Sequence, residues 1–216
     1  MIRFAIPAAL VVVSACATSP RAPAAATPAS ADAAVGKGSV VAHGVVFPGK
    51  VHRYTLTEAT EVEARPDDKV FRYSDGSDTR VTVFFYRADS AMAAENPQQA
   101  LAQEGQSFLE SLPISVQRGW LDSYSAAVAR TDSVTVDGRV VPGHITEVVA
   151  KRSGRSNMEL QYVFLIAPRF VKVRASVPTE AWPNPDVTHF AHELATVLAR
   201  QVHGTPPPSP GRPRNQ

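Results

Sequence analysis

Cysteine is nearly absent from this sequence, since Cys16 is the single one among 216 residues. No disulfide can form within the chain, so the stability of a folded domain must come from packing. An excess of charge of one sign is also lacking, because 22 Lys and Arg offset 20 Asp and Glu to leave a formal net charge of +2. Nucleic-acid-binding proteins usually carry a concentrated basic stripe. This balance therefore predicts that nucleic acid is not a partner.

The apolar run at residues 4–15 is too short to cross a membrane. As a helix it would be about 18 Å long, whereas the hydrocarbon core of a bilayer is about 30 Å thick. Arg3 precedes the run and small residues lead to Cys16, which is the layout of a secretory signal. The segment Val13-Ser14-Ala15-Cys16 resembles the lipobox of bacterial lipoproteins, which are cleaved just before the cysteine. The resemblance implies that Cys16 is lipidated and anchors the protein to a membrane. The protein would then face the periplasm.

Composition divides the chain into four parts. Residues 1–15 form the predicted signal peptide, and residues 16–38 form a lipidated cysteine with an Ala/Pro-rich tether that buries too little apolar surface to fold. Residues 39–203 are long enough for a single domain with its own core. Residues 204–216 form a Pro-rich tail that we expect to be disordered. Ala17 and Thr18 lack the aspartate that retains lipoproteins at the inner membrane of enteric bacteria, so the resemblance favours the outer membrane.

Turn residues and apolar periodicity predict an α+β domain. The strands are expected at residues 40–47, 51–56, 69–73, 80–86, 123–131, 139–151, 158–167 and 170–177. Two main helices are expected at about 96–112, ended by Pro113, and 185–203. Short links such as Ala167-Pro168-Arg169 require antiparallel neighbours. Lys172 and Arg174 alternate with apolar residues, which indicates a strand with one open or thinly covered face.

The C-terminal pattern resembles a known domain family. The strands at 157–166 (NMELQYVFLI) and 169–176 (RFVKVRAS), followed by the helix at 187–202, are similar to the C-terminal half of Mog1/PsbP-like domains found in bacterial lipoproteins. The resemblance implies an α/β/α sandwich with a mainly antiparallel sheet flanked by the two helices. Some members of that fold bind protein partners, but a fold does not fix a chemistry.

No catalytic template fits the chain. A nucleophile elbow would need a second glycine near Ser107, and no glycine-rich phosphate loop occurs. In His189-Phe190-Ala191-His192-Glu193 the histidines are three residues apart, so both zinc-protease patterns fail. The sequence therefore predicts no enzyme activity, no cofactor and no metal. A metal-dependent hydrolase that uses His189, His192 and Glu193, with His144 as a further ligand, stays open as an alternative.

Basic residues of the second group of strands form the one candidate binding surface. It consists of Lys151, Arg152, Arg155, Arg169, Lys172 and Arg174. Such a cluster suits anionic lipid, lipopolysaccharide phosphates or an acidic protein, although charges on a solvated sheet face also discourage edge pairing. The leading hypothesis is a non-catalytic binding or scaffold domain for an envelope protein or an anionic envelope component. A carrier of a small apolar ligand, held between sheet and helix, is a further alternative.

Overall fold

The computed structural model describes residues 38–62, 65–88, 90–125 and 127–203. The predicted signal peptide, the lipidated cysteine with nearly all of the tether, and the Pro-rich tail lie outside the described residues. Among the described residues, no helix is both long and apolar enough to cross a membrane.

Eleven strands and three α-helices make up the described part of the chain, together with a short 3-10 turn at Thr179–Ala181. The strands are β1 Val40–Ala42, β2 Val45–Phe47, β3 Lys50–Val51, β4 Tyr54–Val62, β5 Arg65–Ser74, β6 Arg80–Arg87, β7 Ser123–Tyr124, β8 Val128–Val136, β9 Arg139–Arg152, β10 Arg155–Ile166 and β11 Arg169–Pro178. The helices are α1 Ser90–Glu95, α2 Pro97–Gln117 and α3 Pro185–His203.

Nine strands form one antiparallel sheet. Its order is β3-β4-β5-β6-β11-β10-β9, and both β7 and β8 pair with the outer edge of β9. The apolar segment 160–166 is central, because β10 lies between β11 and β9 and is buried from Leu160 to Ile166. The strands β1 and β2 form a separate hairpin.

Tight turns set the register of several hairpins. Asp75 and Gly76, a dipeptide typical of hairpin turns, lie between β5 and β6, and Asp137-Gly138 joins β8 to β9. The predicted strands at 40–47 and 51–56 are wrong as continuous elements, because each is interrupted by a turn. His43 and His52 occupy these turns at φ 52° and φ 51°, a left-handed conformation in which histidine is several-fold enriched.

Helix α2 starts where the sequence predicts but ends later. The Asn96 side chain accepts a hydrogen bond from the Gln99 backbone N–H at 3.1 Å, and Pro97 needs no such partner in the first turn. The expected end at Pro113 is wrong, because the helix continues to Gln117. Pro113 lacks only its own N–H, and the Ser115 hydroxyl donates to the Ser111 carbonyl at 2.8 Å in the same turn.

Helix α3 has the predicted bounds and covers one face of the sheet. Asn184 caps its start by accepting a hydrogen bond from the Asp186 N–H at 3.1 Å. Its buried face consists of Val187, Phe190, Ala191, Leu194, Ala195, Leu198 and Ala199. Alanines let the helix approach the sheet closely, and Val202 near its C-terminal end is 39% exposed.

Three layers result, and they confirm the predicted α+β class with a mainly antiparallel sheet between helices. The largest core cluster joins α3 and the β1–β2 hairpin to one face of the sheet. Two smaller clusters, around Leu101 and Phe108, join α1 and α2 to the opposite face. The helix α1 was not foreseen in the sequence. Its six residues are too few to show a helical periodicity.

Candidate functional site

The six predicted basic residues do not form one surface. Lys151 and Arg152 end β9 and Arg155 starts β10, whereas Arg169 starts β11 at the far end of the same hairpins. β10 has 12 residues, so at roughly 3.3 Å per residue these groups are about 36 Å apart. The six predicted residues therefore lie in three places. One group is at the β9–β10 turn, Arg169 is at the start of β11, and Lys172 and Arg174 are in the middle of β11.

The middle of β11 is covered, which corrects the expected open face at Lys172 and Arg174. The Lys172 Nζ lies 2.6 Å from Glu104 Oε2 of α2, and the Lys172 side chain is only 14% exposed. The Arg174 guanidinium lies 5.0 Å from the ring centre of Phe108, also on α2, and its Nε donates to Gln161 Oε1 at 3.0 Å. Desolvation lowers the pKa of both cations. Their long side chains run under the helix.

Arg169 is half-buried, and its guanidinium is partly covered. Its guanidinium lies 5.2 Å from the ring centre of Phe85, and its Nη1 is buried with no hydrogen-bond partner among the described residues. An anionic partner at the other end of the sheet cannot reach it. Three of the six predicted residues, Lys151, Arg152 and Arg155, therefore remain exposed and adjacent.

Asp122 fixes the turn that carries these three cations. Its Oδ2 accepts a hydrogen bond from the Gly154 N–H at 2.9 Å, and its own N–H donates to the Lys151 carbonyl at 2.8 Å. Gly154 adopts φ 76°, a left-handed backbone conformation that would be strained in a residue with a side chain. The segment after α2 is thus tied to the β9–β10 turn, so the basic side chains project from a rigid base.

Exposed aromatic side chains lie beside the basic turn. Trp120 is 56% exposed and Tyr124 is 43% exposed. The Arg118 guanidinium lies 4.9 Å from the Trp120 ring centre, within cation–π range, and Arg152 Nε donates to the Trp120 carbonyl at 3.1 Å. We call this surface the basic end. It comprises Arg118, Trp120, Tyr124, Lys151, Arg152 and Arg155.

A polar groove of about 690 Å³ adjoins the basic end. Arg80, Arg152 and Arg155 line it together with Asp78, Glu180 and neutral polar groups. Among the described residues, no carboxylate oxygen lies within 4.0 Å of a cationic nitrogen of Arg80, Arg118, Lys151, Arg152 or Arg155. These cations have no internal ion-pair partner, in contrast to Lys172. Sequence reasoning missed Arg80 and Arg118, which lie far from 151–155 in the chain.

The predicted alternative metal cluster is not assembled as proposed. His144 packs against Gly105 of α2, where an added Cβ would lie 2.7 Å from its ring. The histidines of α3 lie on the opposite face of the sheet, so His144 cannot join them. The His192 Nε2 instead lies 2.8 Å from Asp132 Oδ2 of β8, and Glu193 is exposed. His189 contacts a different partner, His52, with 5.6 Å between ring centres.

The space for an apolar ligand between sheet and helix α3 is filled. Phe190 is fully buried, and its ring centre lies 5.2 Å from that of Tyr54 and 5.0 Å from that of Tyr73. An apolar cleft of about 260 Å³ exists elsewhere, beside Val140 and Leu165. This packing disfavours the carrier hypothesis as the sequence framed it.

No protein-family model matches the chain, and no curated protein matches it. Among solved structures, the chain is similar to the solution structure of cyanobacterial PsbP (CyanoP) from Synechocystis sp. PCC 6803. The two have 14% sequence identity, the match covers 70% of this chain and 83% of that chain, and the TM-score is 0.43. PsbP belongs to the family that the C-terminal sequence pattern resembles. A likeness this distant carries no argument about function.

Proposed function

We propose that the protein is a lipid-anchored, non-catalytic binding domain of the bacterial cell envelope, and that its basic end binds anionic lipid headgroups. The observation that carries the proposal is a set of exposed cations without internal ion-pair partners beside an exposed Trp120. In this proposal the anchor is the lipidated Cys16 predicted from the sequence, and the membrane is the outer membrane. Mass spectrometry of the N-terminal peptide tests the anchor. A free thiol at Cys16 would contradict the proposed lipid anchor.

The chemistry of the basic end suits a phosphate-bearing membrane surface. An Arg guanidinium presents several N–H donors in a fork that matches phosphate oxygens, and Arg152 and Arg155 extend from the same turn. Trp and Tyr side chains favour the headgroup region, where an apolar ring and a polar atom are both accommodated. Trp120 and Tyr124 would therefore insert at headgroup depth while the cations contact phosphates. An acidic protein segment would use the cations but gain less from two exposed rings.

We expect the double change Arg152→Glu/Arg155→Glu to weaken vesicle binding about 25-fold or more. Each basic residue near an anionic surface contributes about 1 kcal/mol, which is roughly a fivefold change in affinity. The measurement is cosedimentation with vesicles of phosphatidylcholine and phosphatidylglycerol in a 3:1 ratio. It uses the chain from Ala17 onward, which lacks the acyl anchor and keeps every described residue.

The matched control is Arg87→Glu/Arg139→Glu, which changes the net charge equally. Both residues are exposed and lie at the other end of the sheet, near the β10–β11 turn. Equal weakening by the two double variants would show that vesicle binding depends only on net charge, which would contradict the proposal. If wild type sediments no more with anionic than with neutral vesicles, the lipid partner is excluded. Crosslinking of wild type, but not of Arg152→Glu/Arg155→Glu, to an acidic envelope protein would then identify the other partner class.

A further inference from the structure

Two histidines and an aspartate converge where α3 meets the β3–β4 turn. Asp186 and His189 are three residues apart in the first turns of α3, so they project from the same side of the helix. His52 Nε2 lies 3.0 Å from Asp186 Oδ1. One ligand atom from each of His52, Asp186 and His189 can be chosen so that all three lie within 4.8 Å of one another. The chain positions of His52 and Asp186 differ by 134, which explains why no sequence motif indicates the cluster.

Backbone geometry directs His52 toward the helix. The pairs Lys50–Thr55 and Val51–Tyr54 leave His52 and Arg53 as a two-residue turn, with His52 at φ 51°. The buried neighbours Val51 and Tyr54 fix that turn against the core. The imidazole therefore reaches α3 from a well-packed base, although its own side chain is 35% exposed.

Arg53 orients the carboxylate without cancelling its charge at the cluster. Its Nη1 lies 2.8 Å from Asp186 Oδ2, and its Nε lies 3.0 Å from Asp75 Oδ2. The side chain of Asp75 is only 5% exposed, and it supplies a second negative charge that balances Arg53. Asp186 Oδ1 thus faces the histidines, while Oδ2 is bound by Arg53.

We propose that His52, Asp186 and His189 bind a first-row divalent transition metal ion, for which zinc is the probe. Two imidazoles and one carboxylate are a donor set that suits such ions, whereas calcium and magnesium favour all-oxygen sites. In a tetrahedral zinc site with bonds of about 2.0–2.1 Å, ligand atoms lie roughly 3.3–3.5 Å apart. Side-chain rotations that shorten the spacings from at most 4.8 Å would bring the three ligand atoms to that distance, and Arg53 would act as the outer hydrogen-bond partner of the carboxylate.

The ion would join two distant parts of the chain and retain a position open to solvent. Three protein ligands complete a tetrahedral site only with a water or an external ligand. The metal would hold the start of α3 to the β3–β4 turn, and binding to the folded state alone stabilises that state. The proposal does not depend on the basic end, which shares no residue with the cluster.

The test is a zinc titration of the full chain against a chromophoric chelator, with Cys16→Ser in every variant so that no thiol competes. We expect one zinc per chain, no comparable binding of calcium or magnesium, and an affinity at least tenfold lower in His189→Gln. His52→Gly removes the second imidazole and accommodates the left-handed turn without strain, so it should show the same loss. The matched control is His192→Gln on the same helix, where His192 contacts Asp132 instead.

Melting curves recorded with and without zinc distinguish ligand loss from misfolding. Wild type and His192→Gln should melt higher with zinc, whereas His189→Gln should melt at the same temperature with and without it. A variant that melts as wild type does in the absence of metal is folded, so its lost zinc response is attributable to the ligand. Unchanged zinc affinity in both His189→Gln and His52→Gly would overturn the proposal, as would equal loss in His192→Gln.

Discussion

Glu104→Ala is expected to lower the free energy of unfolding by about 2–3 kcal/mol. Glu104 Oε2 accepts hydrogen bonds from the Tyr86 hydroxyl at 2.5 Å and from Lys172 Nζ at 2.6 Å. Removing one partner of a buried ion pair costs about 3–5 kcal/mol, because the other charge is left desolvated. The two side chains are 22% and 14% exposed, so solvent reduces that cost.

The stability loss should shrink at alkaline pH. Desolvation lowers the pKa of Lys172 below 10.5, and Glu104 opposes that shift. Without Glu104 the pKa of Lys172 in the folded protein falls further, so the unfolded state binds more protons between that pKa and 10.5. Stability therefore rises with pH across this window, and it rises more in the variant than in wild type.

Chemical denaturation between pH 7 and 9.5, where an ordinary tyrosine is still mostly protonated, measures both effects. Glu110→Ala is the matched control, because Glu110 is exposed on the same helix and, among the described residues, its side chain accepts one hydrogen bond, from Gln106 Nε2 at 3.2 Å. We expect a change within about 0.5 kcal/mol for the control. Equal losses in the two variants, independent of pH, would show that Lys172 does not depend on Glu104.

Local patterns predicted the parts of the fold that local physics determines. The Asp75-Gly76 turn, the cap at Asn96 and the apolar period of α3 each act over a few residues, so their signals are visible in sequence. The turns at His43 and His52 gave no such signal, because histidine tolerates the left-handed region but does not mark it. Pro113 predicted too early an end for α2, because the steric cost of a proline can be absorbed near the end of a packed helix.

The sites depended on contacts that sequence proximity does not reveal. Lys172 and Arg174 are spaced as solvent-facing residues, and only the path of α2 shows that they are covered. His189 was noticed in the sequence, but its candidate partners there were His192, Glu193 and His144, and not His52, which lies far away in the chain. Arg80 joins the 151–155 turn only through the sheet order, and Arg118 only through the segment after α2, where Arg152 donates to the Trp120 carbonyl. Periodicity identifies which face a residue occupies, and tertiary packing decides what that face meets.

Phe190→Ala is expected to cost about 3–5 kcal/mol, the usual range for removing a buried phenylalanine. Phe190 is 0% exposed and meets Tyr54 and Tyr73 edge-to-face, so truncation leaves a cavity between α3 and strands β4 and β5. Phe190→Leu keeps most of the volume and should cost about 1.5 kcal/mol or less. Val202→Ala, on the same helix but 39% exposed, is the control and should change little.

Chemical denaturation of these variants measures the stability losses, and zinc titration of the same variants tests whether the core supports the proposed zinc site. Phe190 follows His189 directly, so the docking of α3 sets the distance from His189 to His52. We therefore expect Phe190→Ala to weaken zinc binding under conditions in which most molecules remain folded, and Phe190→Leu to weaken it less. A loss of stability below about 1 kcal/mol in Phe190→Ala would contradict the packing of α3 on β4 and β5. Full stability loss with unchanged zinc affinity would instead mean that the metal ligands keep their geometry without this ring.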